Sequence, residues 1–166
     1  MVTKKLFEDF SEDIIRLYVQ KNSDYYIAKW KLMSASGSKI SWNWPAFLFT
    51  ANWLGYRKMY LYAFIYIVLN IATLVPLIGL ILWIGMIVGL GMYGNYLYAI
   101  KTYETLTKLK TAYPDEEAFK QMVVKQGGTS IGGIFLVILM GLLVYGVLFA
   151  IGMLVMESTG NGYSEF

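Results

Sequence analysis

The residues whose types are best suited to binding chemistry lie in one short stretch, residues 40–58. This stretch is rich in tryptophan and ends with two cations. Indole rings prefer the headgroup level of a bilayer, and adjacent cations attract lipid phosphates. Anchoring at the membrane surface is the simpler interpretation of these residue types, and recognition of a lipid headgroup or a partner protein is the alternative. The candidate binding residues are Trp42, Trp44, Asn52, Trp53, Arg57 and Lys58.

The usual components of an active site are missing from the sequence. It contains no histidine and no cysteine, which removes the commonest general base, the commonest metal ligand and the thiolate nucleophile. Asp115, Glu116 and Glu117 are consecutive, and they suit the positive first turn of a helix that starts near Pro114. No glycine-rich phosphate loop is present either. We therefore expect no catalysis, no metal and no cofactor.

Two long runs without charged residues indicate an integral membrane protein. Residues 59–100 contain no Asp, Glu, Lys or Arg and a single proline, Pro76. Since about 20 apolar residues cross a bilayer once, this run predicts a transmembrane hairpin that Pro76 divides, with limbs from Met59 to Val75 and from Ile78 to Ile100. The second run, residues 127–156, predicts a third transmembrane helix.

The basic residues indicate the orientation in the membrane. All 14 Lys and Arg residues fall within residues 4–58 or 101–125, and both segments should stay in the cytoplasm. This places the amino terminus inside and the carboxyl terminus outside. The net charge of +3 is explained by this topology, so we expect no binding to nucleic acid.

The predicted fold class is an all-α integral membrane protein with two short amino-terminal helices, from Glu12 to about Gln20 and from Asp24 to Met33. An aromatic helix follows at the interface, and residues 45–54 either lie on the surface or re-enter the bilayer. The predicted segments are 1–39 (cytoplasmic helices), 40–58 (interfacial aromatic and basic helix), 59–100 (transmembrane hairpin), 101–126 (cytoplasmic helical linker), 127–156 (third transmembrane helix) and 157–166 (external tail).

Four residues in the apolar runs are candidates for helix packing. Asn70 needs a hydrogen-bond partner inside the hydrocarbon, and we expect one on another helix. Gly85 and Gly89 form a pair of small residues one turn apart, and Gly132 is similarly spaced from Gly128. Such pairs allow close approach of helix backbones, either within the chain or in a homo-oligomer.

Several short runs resemble a known family. They are residues 21–30 (KNSDYYIAKW), 40–47 (ISWNWPAF), 53–60 (WLGYRKMY), 94–98 (GNYLY) and 127–130 (GGTS). Together they look like the bacterial inner-membrane family called domain of unknown function 2628, over about residues 18–132. The resemblance implies a bacterial cytoplasmic membrane and no established activity.

We therefore expect a small membrane accessory protein that binds a partner membrane protein or anionic lipid without catalysis. The alternative is a subunit of an oligomeric channel or of a transporter for small solutes or lipids. Transport sites usually contain charges or broken helices at the membrane midplane, and the apolar runs contain no charge.

Overall fold

A computed structural model describes residues 1–160, with side chains as far as Ser158. Within this part of the chain the fold is all-helical, as the sequence predicts, and no strand occurs. The elements are α1 (Val2–Asp9), α2 (Glu12–Val19), α3 (Ser23–Ser36), α4 (Trp44–Tyr56), α5 (Tyr60–Leu69), a 3₁₀-helix (Asn70–Leu74), α6 (Gly79–Ala112), α7 (Glu116–Gln126) and α8 (Ile131–Gly160). Most of the predicted tail lies outside the described residues.

The amino-terminal segment contains three helices where the sequence predicts two. The unexpected helix is α1, which buries Leu6 and Thr3. Ser11 caps α2 as expected, since its hydroxyl accepts a hydrogen bond from the Ile14 amide. Hydrogen bonds from Lys31 and Arg16 on the outer surface keep the pKa of Glu12 below its usual value. The three helices form a cap that packs mainly on α6 and α7.

The two limbs of the predicted hairpin differ in length. Helix α6 continues past Ile100 to Ala112, and its 34 residues span about 50 Å. The other limb is α5 with the 3₁₀-helix, Tyr60–Leu74, and it spans about 25 Å against about 30 Å of hydrocarbon. This limb ends at Leu74 because Val75 precedes Pro76 and is extended, which is the conformation that a residue before proline prefers. By length and composition, Gly79–Ala112 and Ile131–Ser158 are the two candidate membrane spans.

An apolar outer surface surrounds the half of the molecule that lies away from the amino-terminal cap. Exposed aliphatic and aromatic side chains cover α5, the first half of α6 and nearly all of α8. Only 6% of the most apolar window of α8 is buried. The second half of α6 is covered by the amino-terminal cap, where Trp30, Tyr98 and Leu106 are almost fully buried. An uncovered apolar surface of this extent is compatible with a membrane protein.

Close helix packing involves different glycines from those predicted. A Cβ atom at Gly85 or Gly89 would meet nothing within 4 Å, so the expected close packing of this pair within the chain is wrong. These two glycines lie on a face of α6 that no other helix covers. At Gly132 the nearest atom would be Ser130 Oγ, at 3.7 Å. A homo-oligomer through Gly85 and Gly89 stays a prediction.

The tight crossing is formed by Gly55 of α4 and Gly133 of α8. A Cβ at Gly133 would lie 2.3 Å from the Gly55 carbonyl oxygen, and a Cβ at Gly55 would lie 2.5 Å from the Gly133 oxygen. Gly94 of α6 similarly faces the Cβ of Ala46 at 2.9 Å. Helix α4 therefore lies between α6 and α8, where only small residues fit.

Gly133→Ala should destabilise the protein, because a backbone carbonyl occupies the space of the new methyl group. Overpacking of this kind costs about 1–3 kcal/mol. Gly141→Ala in the same helix is the matched control, since a Cβ there meets nothing within 4 Å and should cost nothing. Thermal unfolding in detergent measures both variants, and equal stability of the two would contradict the α4–α8 crossing.

Candidate functional site

The segment before α4 lies extended along α6 and is fixed to it by backbone hydrogen bonds. The Ser41 amide donates to the Met92 carbonyl at 2.9 Å, and the Asn43 amide donates to the Gly91 carbonyl at 2.8 Å. Gly91 permits this approach, because a Cβ there would lie 3.0 Å from the Cβ of Phe47. The Trp-Asn-Trp run thereby meets the Gly-Asn-Tyr-Leu-Tyr run.

Two buried amides form the centre of this junction. Asn43 Nδ2 donates to Asn95 Oδ1 at 2.8 Å, and Asn43 Oδ1 caps α4 by accepting from the Ala46 amide at 3.0 Å. The Asn95 carbonyl accepts from Trp30 Nε1 at 2.8 Å, and Asn95 Nδ2 lies 3.2 Å from the Tyr25 hydroxyl. Both asparagines are fully buried. The pair therefore joins α3, α4 and α6, and we call it the asparagine junction.

Arg57, just after α4, is a buried cation. Its side chain is 2% exposed, and no ion pair within the described residues involves it. Instead, Nη1 donates to the Val19 carbonyl at 3.3 Å and Nη2 to the Lys21 carbonyl at 3.0 Å. Those carbonyls lie at the carboxyl end of α2, which is the negative end of a helix dipole. The Nε donor is buried without a partner.

Aromatic rings enclose the same guanidinium group. Its central carbon lies 4.5 Å from the ring centroid of Tyr26, 5.1 Å from that of Tyr98 and 5.8 Å from that of Tyr56. The negative faces of aromatic rings attract a cation and do so more strongly when water is excluded. Hydrogen bonds from Thr129 and then Lys21 lower the pKa of the Tyr56 phenol, although burial opposes them. Ring faces and carbonyls thus supply the compensation that a carboxylate would otherwise provide.

A cavity of about 360 Å³ lies beside Arg57, between α3, α4 and the start of α8. Four side chains make it largely apolar, namely Pro45, Phe49, Trp53 and Ile134. Its other lining residues are Asn22, Tyr26, Asn52, Tyr56 and Arg57. The arrangement is that of a binding site: an apolar space with a few polar groups and one cation.

Three of the six predicted binding residues, Asn52, Trp53 and Arg57, line this cavity. Trp42 and Trp44 lie elsewhere, and their rings contact each other at 5.3 Å between centroids. The Lys58 ammonium donates to the carbonyls of Gly127 and Lys125, so it fixes the end of α7.

Among the described residues, the Asn70 side chain bonds within its own helix and not to another one, contrary to the sequence-based expectation. Its side-chain amide donates to the Tyr66 carbonyl one turn earlier, at 3.0 Å. This local bond is available because Asn70 is at the end of α5, where the helix changes to a 3₁₀ turn.

Sequence reasoning missed the partners of the site. Tyr26, Tyr56 and Tyr98 surround the cation, and Asn43 with Asn95 holds the segments that position it. The available signal was that all five of these residues lie inside the runs that resemble a family. No group of three or more Asp or Glu side chains suited to a metal ion occurs in residues 1–160.

The interfacial helix is more deeply packed than its sequence suggests. Helix α4 contains a break at Thr50, whose φ of 43° and ψ of −118° are not helical. Ala46, Trp53 and Leu54 are buried, whereas Leu48 and Phe49 are exposed. The helix therefore combines an outward apolar edge with a core-facing side that forms part of the cavity.

Asn43→Ala should destabilise the protein by about 2–4 kcal/mol, since it removes the cap of α4 and leaves Asn95 Oδ1 buried without a donor. The control is Asn70→Ala, which removes only a half-buried local hydrogen bond and should cost about 1 kcal/mol. Denaturation in detergent gives both values. A smaller loss for Asn43→Ala than for Asn70→Ala would contradict the asparagine junction.

Comparison with known proteins identifies the family. The family model described as Protein of unknown function (DUF2628) matches residues 16–110, more than half of the chain. This match covers the second half of α2, all of α3, the asparagine junction, Arg57 and most of α6. No curated protein and no solved structure matches the chain. The chain therefore belongs to the DUF2628 family of proteins of unknown function.

Proposed function

We propose that this protein is a non-catalytic accessory protein of the bacterial cytoplasmic membrane that binds anionic lipid at the Arg57 cavity. The observation that carries the proposal is a buried guanidinium without a carboxylate partner, set in the wall of an apolar cavity. A buried cation favours an anionic ligand, because the ligand supplies charge that the protein itself does not. The residues around the cavity include no paired nucleophile and base.

Membrane insertion rests on the uncovered apolar half of the molecule. Lipid tails would surround α8, the first half of α6 and the short limb Tyr60–Leu74, which gives three spans if the bilayer thins around the short limb. The cap, α7 and the second half of α6 carry most of the basic residues and lie on the cytoplasmic side. The amino terminus is then inside, and the carboxyl terminus outside.

The location of the cavity fits a ligand from the bilayer. Phe49 on its wall is 60% exposed and continues into the outer apolar surface. On the cap side, the Lys21 ammonium lies 5.8 Å from the Tyr56 ring centroid. A ligand there would have apolar surroundings at one end and positive charge at the other, as an anionic lipid requires.

A channel or transporter subunit is the second candidate, and the break in α4 favours it. Broken helices expose backbone groups at transport sites. A second cavity of about 370 Å³ lies at this break and is lined in part by Thr50, Tyr66 and Asn70. Ion flux from liposomes above the level of empty vesicles would support this candidate over the accessory role.

The topology can be tested with cysteine labelling, because the natural chain contains no cysteine. In intact cells, Ser164→Cys should react with a membrane-impermeant maleimide, since we place the tail outside. Ser38→Cys should react only after the cells are opened. Protection of the first variant in intact cells would contradict the three-span arrangement.

The lipid proposal predicts that anionic lipids purify with the protein in mild detergent, at a higher fraction than in the host membrane. Arg57→Gln should reduce this enrichment about tenfold, because it removes the buried charge. Lys108→Gln makes the same charge change at an exposed site and should leave the enrichment unchanged. Lipid extraction followed by mass spectrometry measures all three. A bound fraction equal to the bulk membrane composition would overturn the proposal.

A further inference from the structure

We infer that the natural occupant of the Arg57 cavity is a long-chain fatty acid, bound as its carboxylate with the acyl chain directed toward the bilayer. This inference rests on the proposed lipid-binding function and narrows its ligand to one chemical class. Its basis is the hydrogen-bonding capacity of Arg57 together with the size and lining of the cavity.

The size of the cavity favours a single chain. At about 360 Å³ it is near the lower limit of ligand pockets, which run from about 300 to 1,000 Å³. A lipid with two acyl chains and a large headgroup exceeds this space. Pro45, Phe49, Trp53 and Ile134 offer apolar contact along one chain.

The free donors of Arg57 favour a small anionic group. Two of the five guanidinium N–H groups, one on each terminal nitrogen, donate to the carbonyls of residues 19 and 21, and Nε is buried without a partner among the described residues. The Nε–H beside the second N–H of a terminal nitrogen matches the two oxygens of a carboxylate. A carboxylate oxygen can accept from Nε alone, with the amide of Asn52 available on the same cavity wall. Because Nε is buried, binding includes a small movement that uncovers it.

The exposed surface next to the cavity sets the direction of the chain. Phe49 belongs to both the cavity wall and the outer apolar surface, whereas Arg57 lies toward the end of α2. A fatty acid thus reaches the site from the bilayer with its carboxylate foremost. Its methyl end stays among side chains that lipid already surrounds.

Trp53 provides a direct readout, because it lines the cavity and is 3% exposed. A brominated fatty acid should quench tryptophan fluorescence of the full-length protein in detergent, and the quenching should saturate. Trp53→Phe should remove the saturable component. Trp83→Phe should retain it, since Trp83 lies on α6 outside this cavity and is exposed.

Competition separates charge recognition from apolar contact. The unbrominated fatty acid should displace the brominated probe at least tenfold better than its methyl ester, at a pH where the carboxyl is ionised. Arg57→Gln should abolish this preference, whereas Ile134→Phe should weaken acid and ester equally by filling space. If Arg57→Gln does not fold, the comparison of acid with ester on the natural protein still decides the result.

Each other outcome has a defined meaning. Equal competition by acid and ester would overturn the inference, because the cation would then play no part. Saturable quenching by a brominated phosphatidylglycerol but not by the fatty acid would also overturn it, and the proposed lipid-binding function would stand. Absence of saturable quenching with either probe would overturn both.

Discussion

The structure depends on keeping one guanidinium group inside it without a carboxylate. An isolated buried cation is expensive, and the cost falls only when nearby groups replace the water that it has lost. Here the replacement comes from two carbonyls at the end of α2 and from three tyrosine rings, each within 6 Å of the guanidinium carbon. Those groups belong to four helices or their ends. The position of Arg57 therefore fixes the cap against α4 and α6.

The carboxyl ends of α2 and α4 also bind the segment that joins α7 to α8. The Gly128 amide donates to the Tyr18 carbonyl at 2.7 Å, and the Ser130 amide donates to the Tyr56 carbonyl at 2.9 Å. A Cβ at Gly127 would lie 2.1 Å from the Tyr18 oxygen, so a side chain there would force the segments apart. The double glycine thus allows α8 to begin beside Arg57. This arrangement places Ile134 on the cavity wall.

Several features could be predicted from the sequence because they are local. The caps at Ser11 and at the start of α7 follow known capping preferences. The long apolar helices follow from the length of the charge-free runs. Helix α1 was not predicted, because the charged residues Lys4, Lys5 and Glu8 surround its two buried positions and leave no clear apolar pattern. The buried positions are Leu6 and Thr3. The partners of Arg57 could not be predicted, since they come from residues 26, 56 and 98 and from carbonyls near residue 20. Contacts between distant segments leave no periodic pattern in a single sequence.

The glycines and Asn70 also show that residue type and spacing do not identify contact partners. Spacing singled out Gly85 and Gly89, which have open space around them, whereas Gly55 and Gly133 form the tight crossing without any repeated spacing. The Asn70 side chain donates to the local Tyr66 carbonyl, which also accepts the backbone amide of Asn70. Residue type alone therefore identified where polar or small groups were needed but not which partner each would meet. Tertiary contacts decide that, and they are made where α4 lies between α6 and α8.

The proposed ligand binding and the stability of the fold would be linked through the same cation. A ligand that binds only the folded protein stabilises it by mass action. An anion in the cavity would offset part of the free-energy cost of burying Arg57, in addition to the part that the ring faces and carbonyls offset. The helices that contact Arg57 or line the cavity would then hold together more strongly in the bound state. A site that joins the cap to α4 and α6 would thus link occupancy of the cavity to how firmly the cap is held.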